Sequence, residues 1–318
     1  MKRFIFLWLV GLGVLCAQPL TPYKMLEAHG NVLDLVVHEG KVIASTDAGT
    51  IEWFDVQSGA WEKEVRFAPI KDFMGTAMAA KVYSVDVLGK GEMVLATVQG
   101  PTSYREVYVI AHGEKERVIG AQEGMMIKKA KFISPKRILL GLMSNELVLF
   151  DVETKKILYQ FQLSQSHFSD FALNENKTLV VSSDESGEVH LVDVATGEVL
   201  QTYKGGNVDN VYKVDMKKER IITAGQDRRG IVYERTTGAF ARFDAEFLLY
   251  ACALSPSAAL GAWAFTEDNA IAVFDIKSKA RRFLLEGQRS TMNTIVFVDE
   301  KTLVSGSDDK TILLWRLP

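Results

Sequence analysis

Seven large residues recur along this chain at a nearly constant spacing, and that spacing constrains the fold more than any other feature. Phe54, Tyr108, Phe150, Val192, Tyr233, Phe274 and Trp315 each close a short β-rich run, at intervals of 54, 42, 42, 41, 41 and 41 residues. Residues 180–192, 221–234 and 303–315 share one local shape, two β-forming runs flanking a polar turn, which reads as a hairpin. A period of this length carrying strands alone is the signature of four-stranded blades set around an axis. Seven marks predict an all-β fold, a seven-bladed β-propeller built as one domain over residues 18–318.

The chain stops at Leu317-Pro318, just past the seventh mark, so the last blade lacks an outer strand of its own. Tyr23-Lys24-Met25-Leu26 precedes Ala28-His29 much as Arg282-Phe283-Leu284-Leu285 precedes Gly287-Gln288. The N-terminal segment is therefore expected to supply the missing strand. Closure of this kind removes the open sheet edges that invite aggregation.

Residues 1–17 read as a signal peptide rather than as part of the fold. Lys2 and Arg3 form a positive start, Phe4 to Leu15 is apolar apart from glycines, and Ala17 offers a small residue for cleavage before Gln18-Pro19. The apolar run is too short to span a bilayer and no later stretch is longer, so no transmembrane segment is expected. Leu15 ahead of Cys16 disfavours a lipid anchor there, and a soluble periplasmic protein follows. Loss of the leader makes the formal net charge of −3 two units more negative, which implies no general attraction to nucleic acid. The mature chain keeps one cysteine, Cys252, in the apolar run 250–254; it can form no internal disulfide and is expected to be buried and inert.

Acids follow several of the marks (Asp55, Asp151, Asp193, Glu234, Asp275), and turns such as Gln57-Ser58-Gly59 and Thr236-Thr237-Gly238 follow those. In these features the chain resembles the WD-repeat family over essentially its whole mature length. The motifs are degenerate: Arg316 rather than Asp follows Trp315, Ala28-His29-Gly30 only echoes the family's Gly-His pair, and Gln288 replaces the histidine. The family's His-Ser-Asp-Trp network is accordingly expected to be largely absent. The leader, the degenerate ring and the lack of cofactor motifs are also similar to the WD-repeat accessory proteins of bacterial periplasmic nitrate reductase systems. That resemblance implies an exported redox enzyme as partner and no metal or cofactor in this chain.

Residues with catalytic spacing are not apparent. His29, His38, His112, His167 and His190 fall on different repeats without a second ligand at metal spacing, and no nucleophile elbow or phosphate loop occurs. Asp47, Asp184, Asp227, Asp268 and Asp308 occupy the turn between second and third strands, where a short acceptor caps the turn backbone. No catalytic or metal residues are assigned.

Two departures from the repeat suggest a docking surface instead. The long first interval places extra chain near Pro69 (residues 68–75, with Phe73 and Met74) and near Pro101 (residues 99–104). Met125, Met126, His167, Phe168, Phe247, Tyr250, Arg289 and Met292 lie at expected blade entrances, and Arg228 and Arg229 lie in a turn of the same face. Aromatic residues, Met and Arg are enriched in protein interfaces. The expected function is a non-catalytic scaffold or assembly factor, monomeric on its own, that holds another exported protein. The alternatives are a cofactor- or metal-dependent propeller enzyme and an envelope protein that binds small ligands.

Overall fold

The computed structural model describes residues 19–102 and 104–318; the expected signal peptide and Cys16 lie outside the described residues. Seven antiparallel four-stranded sheets form a ring, a seven-bladed β-propeller. Blades one to six are continuous in sequence, over residues 32–66, 82–119, 127–162, 168–203, 211–244 and 252–285. The seventh combines three C-terminal strands (292–316) with Lys24–Glu27 as its outer strand. Leu26 pairs with Ile312 and Met25 with Leu313, so the ring closes by the expected exchange. Leu20 adds a parallel bridge to Leu285, tying the N-terminal segment to blade six as well.

The core is not a single mass. Seven apolar clusters occur, each wedged between two neighbouring blades. Trp315 is fully buried where blades six and seven meet, and Trp263 is buried between blades five and six with its Nε1 donating to the Thr223 carbonyl at 2.8 Å. Alternation explains the wedges: both faces of a blade meet a neighbour, so both sides of each central strand are apolar. The periodic marks have a structural meaning too. Phe54, Tyr108, Phe150, Val192 and Phe274 stand where the pairing of third and outer strands slips by one residue, a bulge that increases local twist.

A second bulge recurs on the innermost strands. In six blades the register with the second strand shifts at the start of the inner strand, between Val32 and Asp34, Val82 and Ser84, Ile127 and Lys129, Phe168 and Asp170, Val211 and Lys213, and Met292 and Thr294. The apolar residue before each shift is buried in a wedge. The extra residue is freed from the pairing and re-aimed.

Other polar groups brace the blade entrances at places where the family's histidine network would lie. Asn207 accepts from Thr223 Oγ1 at 2.7 Å and donates to Asp227 at 3.0 Å, while Gln288 bonds Ser305 and Ser307. In blade four Asp184 accepts from Ser164 and Asn145, both at 2.8 Å. Amides thus replace histidine in a similar linkage. Asp227 caps its own turn, accepting from Arg229 N at 3.1 Å, whereas Asp47 and the other oxygen of Asp227 reach the blade entrance, accepting from Asn31 N and Val208 N at 2.8 Å.

Candidate functional site

The six bulge residues converge at one mouth of the central channel. They are Leu33, Tyr83, Lys128, Ser169, Tyr212 and Asn293, and all but Tyr212 line a shallow cavity there with Arg105, Lys213 and Asp308. The Arg105 guanidinium lies 3.6 Å from the centroid of the Tyr83 ring, and its Nη1 donates to the Ile127 carbonyl at 2.8 Å. Tyr212 stacks on Tyr250 with centroids 5.1 Å apart, and Tyr250 in turn touches Phe247 at 6.3 Å. Tyr212 is fixed by its hydroxyl, which donates to Gln226 at 2.8 Å. Burial pushes the Lys128 ammonium below its ordinary value; Asp170 opposes that, and Lys213 reinforces it. The mouth is therefore a rim of immobilised aromatic faces interleaved with cations.

Below the rim the channel is lined by charges that compensate one another. Lys129 meets Asp170 at 2.7 Å, and Lys131 lies 3.7 Å from Asp86 and 3.9 Å from Asp34. The aspartates are also backbone staples between blades: Asp34 accepts from Val85 N at 3.1 Å, Asp86 from Phe132 N at 2.8 Å, and Asp215 from Leu254 N at 3.0 Å. Carboxylates used in this way are oriented by the scaffold, and their charge is offset by nearby lysines: Lys131 of blade three beside Asp34 and Asp86, and Lys217 of blade five 3.7 Å from Asp215 in the same blade.

The sequence-selected surface residues sort by burial. Phe73 and Met74 are 99% and 77% exposed, at the tip of a short hairpin formed by Ile70–Lys71 and Ala77–Met78. Met125 and Met126 are half-buried in the segment leading to blade three, His167 and Arg289 are exposed ahead of blades four and seven, and Phe247 and Tyr250 are half-buried ahead of blade six. In blade five's turn Arg228 is exposed, whereas Arg229 folds back to 3.8 Å from Asp227. These segments all precede an inner strand or join second to third strands, so the up-and-down blade topology puts them on the face that carries the mouth.

Two of the selected residues do not belong to that surface. Phe168 and Met292 are the buried residues that precede the bulges of blades four and seven. The Phe168 ring lies against Gly141, where a Cβ would come within 2.4 Å of it. Conversely, Tyr83, Arg105, Lys128, Tyr212 and Asn293 escaped the sequence reading. Four of them are second residues of an inner strand in every repeat frame, and superposing the frames of Val82-Tyr83-Ser84, Ile127-Lys128-Lys129 and Val211-Tyr212-Lys213 would have singled them out.

One histidine is not isolated after all. His29 Nδ1 lies 3.1 Å from Glu52 Oε2 and 3.0 Å from Glu64 Oε2, two residues of other strands in blade one. Among the described residues no helix is long and apolar enough to cross a membrane.

These features define the class: the chain is a seven-bladed β-propeller, and its ring is consistent with a WD-repeat type of fold. Compared with known proteins, it matches no family model and no curated protein.

Proposed function

We propose that this protein is a non-catalytic interaction scaffold of the periplasm, a degenerate relative of the WD-repeat proteins, and that it docks a partner protein on the mouth face. The observation that carries this reading is the rim itself. Six repeats use one backbone device, the inner-strand bulge, and five of the residues it re-aims, Tyr83 and Lys128 among them, line one cavity at the mouth. Rigid aromatic rings and cations held by second contacts lose little side-chain freedom on binding, which is how interface hot spots concentrate affinity. The hairpin bearing Phe73 and Met74 extends the same face outward. That propellers commonly serve as interaction platforms supports the reading by analogy only.

The resemblance to accessory proteins of periplasmic nitrate reductase systems supplies the particular partner: an exported molybdenum enzyme met while folded or folding. In this reading the chain is a monomer by itself. The test is to express the tagged mature protein in its native envelope, cross-link, and identify what is captured. A Tyr250→Ala, Arg289→Ala double variant should lose the partner, while Leu200→Ala, on the outer strand of blade four, should keep it. Equal capture by all three would reject the mouth face. Metal content and the absorbance spectrum of the pure protein separate this reading from the enzymatic alternative.

A further inference from the structure

We propose that His29, Glu52 and Glu64 form a zinc-binding site that clamps the closing segment of the ring to blade one. His29 lies in the short connection between Lys24–Glu27, the outer strand of blade seven, and the inner strand of blade one. Glu52 stands on the third strand of blade one and Glu64 on its outer strand. One ligand atom from each, Nδ1 and two Oε2 atoms among them, lie within 4.8 Å of one another. A tetrahedral zinc ion with bonds of about 2.0–2.1 Å holds its ligand atoms about 3.3 Å apart. The imidazole is 3.1 and 3.0 Å from its two carboxylate oxygens, within tenths of an ångström of that spacing, and all three ligand atoms lie close enough for side-chain adjustment to bring them onto one ion.

Glu52 gives the independent indication. Its side chain is fully buried, and Oε1 is committed, accepting from Thr50 Oγ1 at 2.7 Å and from the backbone N–H of His29 at 3.0 Å. Oε2 faces the imidazole yet receives no hydrogen bond. A buried carboxylate oxygen without a donor is costly, and a cation is the remaining way to offset it. Two ligands of one ion aim at the ion rather than at each other, which accounts for a close approach without hydrogen-bond alignment. Thr50 and the His29 backbone play the orienting part that outer groups play around metals. Arg66 orients the Glu64 carboxylate as a fork, Nε donating to Oε1 at 3.0 Å and Nη2 to Oε2 at 3.2 Å, so zinc would share Oε2 with that guanidinium through the oxygen's second lone pair. The imidazole is 53% exposed, so an ion reaches the site from solvent and a water completes its coordination. One imidazole and two carboxylates suit zinc among the common divalent ions.

The test uses the full mature chain, stripped with chelator and titrated with zinc chloride in a calorimeter, with thermal melts alongside. One zinc per chain at micromolar affinity is expected, with a melting temperature that rises with zinc concentration. His29→Ala and Glu64→Gln should each weaken binding at least tenfold and lose the zinc-dependent rise, while remaining folded by circular dichroism. His38→Ala, whose ring contacts only the Gly89 carbonyl among its polar neighbours, should bind as the parent does. If a protonated imidazole alone balances Glu52, zinc gives no heat and no shift, and the proposal fails. Equal binding by His29→Ala and the parent overturns it as well.

Discussion

The Lys129 ammonium in blade three lies 2.7 Å from Oδ1 of Asp170 in blade four, and the other oxygen of that carboxylate accepts from Val214 N in blade five at 3.3 Å. One ion pair thereby connects three blades around the channel. Burial pushes the Lys129 pKa down and that of Asp170 up. In each case the opposite charges outweigh it: Asp170 and Asp34 hold Lys129 above its ordinary value, and Lys129 and Lys213 hold Asp170 below its own. Removing one partner of such a pair strands a buried charge, which costs about 3–5 kcal/mol. Asp170→Asn should therefore shift the urea midpoint strongly downward. A Lys129→Met, Asp170→Leu double variant should lose less than the single one, because it leaves neither charge unpaired.

Acid should act on the ring through Asp184. Burial raises this carboxyl, but His190, Ser186 and Ser164 outweigh it and hold it far below the usual carboxylate range. A carboxyl depressed in the folded state stabilises fully above its unfolded pKa of about 3.9 and loses that contribution as pH falls toward the folded value. The stability difference between the parent and Asp184→Asn should be constant at pH 5–7 and shrink steadily below about pH 4. A difference that stays level down to pH 2 would exclude Asp184 from the acid response.

How much of this was visible in the sequence follows from which contacts are periodic. The ring, the blade number and the closing strand all depend on a repeat that every blade obeys, so Phe54 through Trp315 announced them. Phe168 and Met292 were misplaced because a blade-entrance position faces the inter-blade wedge one residue before the bulge and the mouth at the bulge itself. A single slip in alternation exchanges those two fates. His29, Glu52 and Glu64 were invisible for another reason: they come from three segments and from one blade only, with no counterpart in the repeat. Gln288 looked like a loss of the family's histidine, yet an amide can donate and accept within one side chain, and Gln288 binds both Ser305 and Ser307.

Ring closure has a measurable consequence. Lys24–Glu27 pairs along Thr311–Arg316, and Leu26, Ala28 and Phe54 share one cluster with Ile312 and Leu314. A mature chain lacking residues 20–27 would leave the third strand of blade seven as a bare edge above an opened wedge. Light scattering should then show oligomers or an unfolded chain, since exposed edges recruit other strands. A monomer with the parent's melting temperature would show that the N-terminal outer strand is dispensable.

Cys252 tests the tightness of the wedges. Its thiol is buried between blades five and six, 3.6 Å from the Lys213 carbonyl and 3.8 Å from that of Ile222. Burial raises its pKa well above the ordinary value, and the charges of Asp215 and Asp170 add to that. The thiolate is the reactive form, so both access and ionisation oppose modification. With the leader removed, a disulfide reagent should titrate no thiol in the native protein at pH 8 and one thiol per chain in guanidinium chloride. Modification in native buffer then reports opening of the wedge between blades five and six, and its rate should be at least 10³-fold below that of the unfolded chain if the core opens only with global unfolding. Rapid native labelling would mean that this wedge opens locally, and would move the weak point of the ring from its closure to blade six.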